Sequence, residues 1–185
     1  MEPRAVVLVE GESDRAALTA LAGRRGRSLA GEGVEIVAMG GATNVARYLA
    51  ELGPQGRGLR LAGVCDAGEE RWFRRGLERA GFGAVPSREA MAALGFHVCD
   101  ADLEDELIRA VGVAGVERVI AAQGELTSLR ILQRQPAHRG RPTEAHLHRF
   151  MGSMGNRKLR YATLLVEAMD LAAAPRPLDA VLAAV

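Results

Sequence analysis

Two apolar runs that each stop on a carboxylate restrict this chain more than any other feature. They are Val6-Val7-Leu8-Val9-Glu10 and Leu61-Ala62-Gly63-Val64-Cys65-Asp66. Short unbroken runs of Val, Leu and Ala are the pattern of strands buried on both faces, and such strands belong to parallel sheets covered by helices. In an open parallel sheet the carboxyl ends of the strands line the ligand crevice. Two strands that end in acids therefore bring carboxylates to one edge. Without a base paired to them in sequence, they predict a site for a hard cation such as Mg²⁺.

The pattern around these runs alternates strand with helix. Strands are expected at 5–10, 34–39, 60–65 and 95–99. A helix follows the first from an N-cap at Ser13 through Leu21. Another follows Gly40-Gly41 through Val45, Tyr48, Leu49 and Leu52, and two more cover 69–80 and 103–111. The expected fold is α/β, a Rossmann-like, mostly parallel four-stranded sheet flanked by helices. Beyond residue 112 strands are hard to find. Residues 116–123 read as a helix or a short strand, 125–134 and 142–150 as helices, and 157–173 as a helix with Leu159, Ala162, Leu165, Val166 and Met169 on one face. The organisation read from this is an α/β core at 1–112 and a helical C-terminal extension at 113–185.

Composition narrows the class. The 185 residues fit one domain, and 48% hydrophobic with only 4% aromatic content means a core of Ala, Val and Leu. No apolar run approaches the roughly 20 residues of a membrane span. Met1-Glu2-Pro3-Arg4 is not a secretory start. Cys65 and Cys99 lie in expected buried strands and read as small core residues, so the cytoplasm is the expected compartment. The net charge of +1 hides an asymmetry. From Arg130 to Arg160 there are eight basic residues and one acid, Glu144, a net of +7 that leaves the rest of the chain at −6. An acidic part that holds cations beside a basic part that holds phosphates suits action on nucleic acid, although solvated helix faces also give such runs. Of 24 basic residues only one, Lys158, is a lysine. A lone Lys is either chance or a place where a compact ammonium is needed.

The acids with candidate roles are Glu10, Asp14 four residues on, Asp66, and the run that starts at Asp100 and contains Asp102 and Glu104. Asp102, Glu104, Glu69 and Glu70 are equally explained as acids at helix N-termini, and Glu12, Glu70 and Asp105 are given structural roles. Convergent carboxylates repel unless cations neutralise them, which predicts Mg²⁺ or Mn²⁺, two ions in the usual paired arrangement. Zinc is disfavoured: none of His97, His138, His146 and His148 has a cysteine at ligand spacing, and the last two do not share a helix face. They read as surface or phosphate-contacting residues. There is no GxxxxGK[ST]. The amides of Gly40 and Gly41, opening a helix, suit a phosphate or simply a tight turn.

These strings resemble the Toprim domain of topoisomerases, primases and OLD-family nucleases. Val9-Glu10-Gly11 matches its strand ending in Glu-Gly, whereas Asp66-Ala67-Gly68 keeps the first Asp of Asp-x-Asp and has Gly at the second. The chain is closest to the OLD type. Asp14, Asp102-Leu103-Glu104 and Lys158 match that subgroup's later acids and its C-terminal lysine; Val64 replaces a possible Ser or Thr ligand. The resemblance implies a free-standing Toprim domain that cleaves nucleic acid, DNA in the first instance, with two Mg²⁺ or Mn²⁺. It implies metal ligands Glu10, Asp14, Asp66, Asp102 and Glu104, and catalytic roles for Glu10, Asp66 and Lys158. Arg157, Arg160, Gly40 and Gly41 are the expected nucleic-acid contacts. The alternative is a non-catalytic metal- and nucleic-acid-binding module that acts with a separate ATPase partner. No membrane contact is expected.

Overall fold

Ala5–Val9 forms strand β1, and all five of its residues are buried. Successive side chains point to opposite faces, so Ala5, Val7 and Val9 enter one apolar cluster while Val6 and Leu8 enter another. This is the physical meaning of the unbroken apolar run. The computed structural model describes residues 2–153 and 155–185. In chain order β1 is followed by α1 (Glu12–Arg24), β2 (Val34–Ala38), α2 (Val45–Leu52), β3 (Arg60–Cys65), α3 (Glu70–Arg79), α4 (Arg88–Ala93), β4 (Phe96–Val98) and α5 (Leu103–Val111). Helices α6 (Val113–Ala122), α7 (Leu126–Arg134), α8 (Thr143–Met151), α9 (Gly155–Ala168) and α10 (Arg176–Ala183) complete it.

The sheet has four strands in the order β2-β1-β3-β4, each pair parallel. The chain runs outward from β1 to β2, returns to the other side of β1 as β3, then continues outward to β4. The direction of winding reverses between β1 and β3, where an open sheet forms its crevice. Leu8 lies opposite Gly63, so Glu10 and Asp66 leave adjacent strands at nearly the same level. Gly63 is required there: a Cβ would lie 2.8 Å from the Leu8 carbonyl oxygen and 2.8 Å from the Phe96 ring.

Helices α2, α3 and α4 cover one face through Leu49, Phe73, Leu77 and Met91. The other face carries α1 and α5–α10, and its apolar cluster runs from Ala5 to Leu182, including Tyr161, Leu165 and Val166. Residues 113–185 thus share the core with β1 and β3. Arginines at the end of α1 and just after it fasten this face. Arg24 Nη1 donates to the carbonyls of Val166 and Met169 at 2.7 and 2.6 Å. Arg25 pairs with Asp179, and Arg27 reaches the Leu182 carbonyl.

Several expectations are corrected. Helix α1 is capped by Gly11, and Ser13 is a buried residue of its first turn. Residues 116–122, read as a helix or a short strand, are helical, and Gln123 is the C-cap. The helix expected at 157–173 stops at Ala168, and Asp170 then caps a separate 3₁₀ turn at Leu171–Ala173. On α9, Ala162, Leu165 and Val166 are buried, as is Met169 just after it, but Leu159 is 42% exposed. Helices α4 and α10 were not expected: α4 is only six residues long, and α10 carries Pro177 in its first turn, where proline costs no hydrogen bond. Among the described residues, no helix is long and apolar enough to cross a membrane.

Candidate metal centre

Glu10 is the first residue after β1. Burial raises its carboxyl above the usual range, Glu69 and Glu104 push the same way, and Lys158 opposes them. Asp14 lies one turn into α1, where one of its oxygens accepts the Gly11 amide at 3.0 Å. That bond completes the N-terminus of α1 from inside the helix. Burial still pushes Asp14 up to about 6, with a contribution from Glu104. Asp66 ends β3. Burial, then the charges of Asp14, Asp102 and Glu10, push it up to about 7. Carboxylates raise one another in this way when they lie close together.

The loop after β4 is drawn to Asp66 by the backbone. The Cys99 amide donates to the Cys65 carbonyl and the Ala67 amide to the Ala101 carbonyl, both at 2.9 Å. Asp102 is therefore delivered beside the strand ends. It caps α5, with Oδ1 accepting the Asp105 amide at 2.9 Å, while Oδ2 lies 2.7 Å from His148 Nε2. Glu104 is buried in the first turn of α5, and its Oε2 lies 3.2 Å from Lys158 Nζ. Burial disfavours the Lys158 ammonium, but Glu104, Asp14 and Asp66 outweigh that and raise its pKa. The neighbouring buried acid, Glu106, faces elsewhere. It accepts the Asp100 amide at 2.9 Å and pairs with Arg109 at 2.9 Å.

The site thus brings together Glu10, Asp14, Asp66, Asp102, Glu104 and Lys158 from β1, α1, β3, α5 and α9. Two neighbours were not singled out from the sequence. Glu69, in the turn after Asp66, is the strongest charge acting on Glu10. His148 on α8 touches Asp102. Gly68 sits in open space, with nothing within 4 Å of where its Cβ would be.

Three of the four expected nucleic-acid contacts, Gly41, Arg157 and Arg160, are otherwise engaged. The Gly41 amide donates to the Glu10 carbonyl at 3.1 Å, and Gly40 and Gly41 take φ of 72° and 124°, so this pair makes the tight turn that joins β2 to the end of β1. Arg157 pairs with Glu125 at 2.8 Å, lies over the Phe150 ring and is only 13% exposed. Arg160 also pairs with Glu125. These are structural cations that fix α9, the helix that carries Lys158.

Whether these residues fit a divalent cation is a question of donor chemistry. Five carboxylates crowd one crevice, and one lysine offsets them. Burial first, and then the neighbouring acids, make two of them hold their protons well above the usual range. All-oxygen, carboxylate-rich donors suit Mg²⁺ and Mn²⁺. The residues fit.

Residues 3–66, which contain β1 to β3 and the acids Glu10, Asp14 and Asp66, match the family model described as overcoming lysogenization defect protein-like, TOPRIM domain. The structure is similar to the C-terminal region of the Burkholderia pseudomallei OLD protein, with 22% identity, a TM-score of 0.73, and 100% of this chain and 97% of that one covered. It is also similar to the C-terminal region of the Xanthomonas campestris pv. campestris OLD protein, with 23% identity, a TM-score of 0.77, and coverage of 98% and 91%. No curated protein sequence matches the chain.

Proposed function

We propose that this chain, an OLD-like Toprim domain by its fold and by the sequence of residues 3–66, is a metal-dependent nuclease that hydrolyses phosphodiester bonds of nucleic acid, DNA in the first instance. The observation that carries this is the convergence of Glu10, Asp14, Asp66, Asp102 and Glu104 around one lysine at the reversal point of the sheet. Glu10, Asp14 and Asp66 are the proposed holders of one divalent cation, and Asp102 and Glu104 of a second. Bound Mg²⁺ or Mn²⁺ supplies a water-derived nucleophile near neutral pH and stabilisation of the leaving oxygen.

The residues of the chain have their own tasks. Asp66 lies between the two halves of the acidic cluster, repelled by both Asp14 and Asp102, where a bound cation would relieve the repulsion. Lys158 is a point charge at the rim, 41% exposed, placed to meet a non-bridging phosphate oxygen while Glu104 holds it from behind. Backbone bonds, rather than mobile loops, position Asp66 and Asp102. The acids are therefore preorganised before any substrate arrives.

A plasmid-nicking assay with Mn²⁺ tests this. Wild type converts supercoiled DNA to open circles, and Glu10→Ala and Asp66→Ala slow this by about 100-fold or more. Equal trace activity in wild type and Glu10→Ala overturns the nuclease reading. Gly68, at the second acid position of Asp-x-Asp, favours one other reading: a module that binds metal and nucleic acid and cleaves only with an ATPase partner. Metal binding without nicking, with nicking restored by a captured ATPase, identifies that case.

A further inference from the structure

His148 stands against the acids from a helix that contributes no carboxylate to them. It lies on α8, far in sequence from Asp102, yet its Nε2 is 2.7 Å from Asp102 Oδ2. One ligand atom each from Asp102, Glu104 and His148 lies within 4.8 Å of the other two. Glu104 is 93% buried, and among the described residues only Lys158 reaches its oxygens. One of its oxygens therefore lies, largely shielded from solvent, within 4.8 Å of ligand atoms of Asp102 and His148. The His148 side chain is 45% exposed.

We infer that His148 is the nitrogen donor of the second cation position, and that it makes this position prefer Mn²⁺ to Mg²⁺. The inference rests on the metal-binding reading of the acids above. In the ion-free protein the Nε2 hydrogen bridges imidazole and carboxylate. With the ring proton on Nδ1, the Nε2 lone pair faces the point toward which Asp102 and Glu104 converge. Imidazole is a poor ligand for Mg²⁺, which keeps to oxygen and water, and a good one for Mn²⁺ and later first-row ions. A site of oxygens alone discriminates weakly between Mg²⁺ and Mn²⁺; an added imidazole separates them.

Pulsed electron paramagnetic resonance of the full chain loaded with Mn²⁺ alone reads this directly. Wild type shows ¹⁴N modulation from a coordinated imidazole, and ¹⁵N-histidine labelling moves it to the ¹⁵N frequencies without any substitution. His148→Asn abolishes the modulation, whereas His97→Asn on β4 leaves it. By calorimetry His148→Asn lowers Mn²⁺ affinity at this position about 10-fold or more and Mg²⁺ affinity less than about threefold. Bound Mn²⁺ without nitrogen coupling overturns the inference and leaves the acidic site standing. An equal loss of Mn²⁺ and Mg²⁺ affinity also overturns it, since that is the effect of a residue that merely steadies Asp102. Absence of Mn²⁺ binding in wild type overturns this inference and the metal-dependent function together.

Discussion

Asp66 retains its proton to about pH 7 because burial and the charges of Asp14, Asp102 and Glu10 all oppose its ionisation. The thermodynamic sign is the reverse of that for a salt-bridged acid. Below the unfolded value near 3.9 both states hold the proton and the group is silent. Between there and about 7 the folded state binds more protons, so stability falls as pH rises, and the full cost is present above it. Asp14 behaves alike, with its upper limit at about 6. The ion-free protein is thus expected to lose stability across pH 4–7 from these two groups, by about 1–2 kcal/mol for Asp66 after allowance for its partial exposure. Melting curves of wild type and Asp66→Asn in chelator check this: their difference opens as pH rises, and Mg²⁺ or Mn²⁺ raises the wild-type Tm at pH 8 far more than at pH 5. A pH-independent gap between the two proteins rules the account out. A second prediction concerns Gly68. Its neighbourhood is open and its backbone is not left-handed, so Gly68→Asp is expected to fold normally and to strengthen divalent-cation binding several-fold, measured by calorimetry. Unchanged affinity means that position 68 does not face the ions. The acids at 10, 14 and 66 were legible in sequence because strand ends and first helical turns fix where such residues lie. Glu69 and His148 were not, because an acid near a helix start has an ordinary explanation and a histidine on a distant helix has no local signal.

At the scale of elements β1 and β3 were legible almost to the residue, because a strand buried on both faces leaves an unbroken apolar run. Helix ends were not. Ala168 ends α9 because Arg24 takes the carbonyls of Val166 and Met169, a contact across 142 and 145 residues that no window of sequence contains. The same holds for Arg157 and Arg160. Their positive charge was visible, but the structure sets both on Glu125, which also accepts the Tyr161 hydroxyl at 2.7 Å. Burial opposes charge on Glu125, yet the bonds from Arg157 and Tyr161 win and hold its carboxyl below the usual range. Glu125, the residue before α7, is therefore the pin that holds α9, and with it Lys158, in place. Glu125→Ala leaves a mostly buried guanidinium without its partner and is expected to cost about 2–3 kcal/mol in urea unfolding. It should also slow nicking without weakening metal binding. Glu125→Gln keeps the hydrogen-bond acceptor and should recover part of both. Equal loss in Gln and Ala would mean that the charge alone matters.

Across the whole molecule the charge asymmetry seen in sequence has a different physical basis from the one it suggested. With Arg157 and Arg160 committed to Glu125 and Arg130 to Glu117, the uncommitted cations of the basic segment lie earlier, at Arg134, Arg139, Arg141 and Arg149. All four are exposed and, among the described residues, have no acid partner. Arg134 ends α7, Arg139 and Arg141 lie just before α8 and Arg149 lies on it, and His146 Nε2 is bonded to the His138 carbonyl at 2.8 Å, which holds the preceding loop to that helix. Since His148 on α8 touches Asp102, this helix joins the exposed cations to the acidic crevice. Phosphate contacts of this kind give affinity without sequence preference, and each one lost reduces the salt dependence of binding by about one unit of slope. Arg139, Arg141 and Arg149 changed together to Gln are therefore expected to weaken duplex binding at low salt and to reduce the slope of log K against log[salt] by about 2–3, with no change in Tm. Arg157→Gln and Arg160→Gln are expected to do the opposite, lowering Tm and leaving the slope within about one unit. Fluorescence anisotropy across a salt series, with melting curves on the same samples, separates the two sets. If Arg157→Gln reduces the slope and the triple variant does not, the nucleic acid runs over α9, and the partnership with Glu125 must break when it binds.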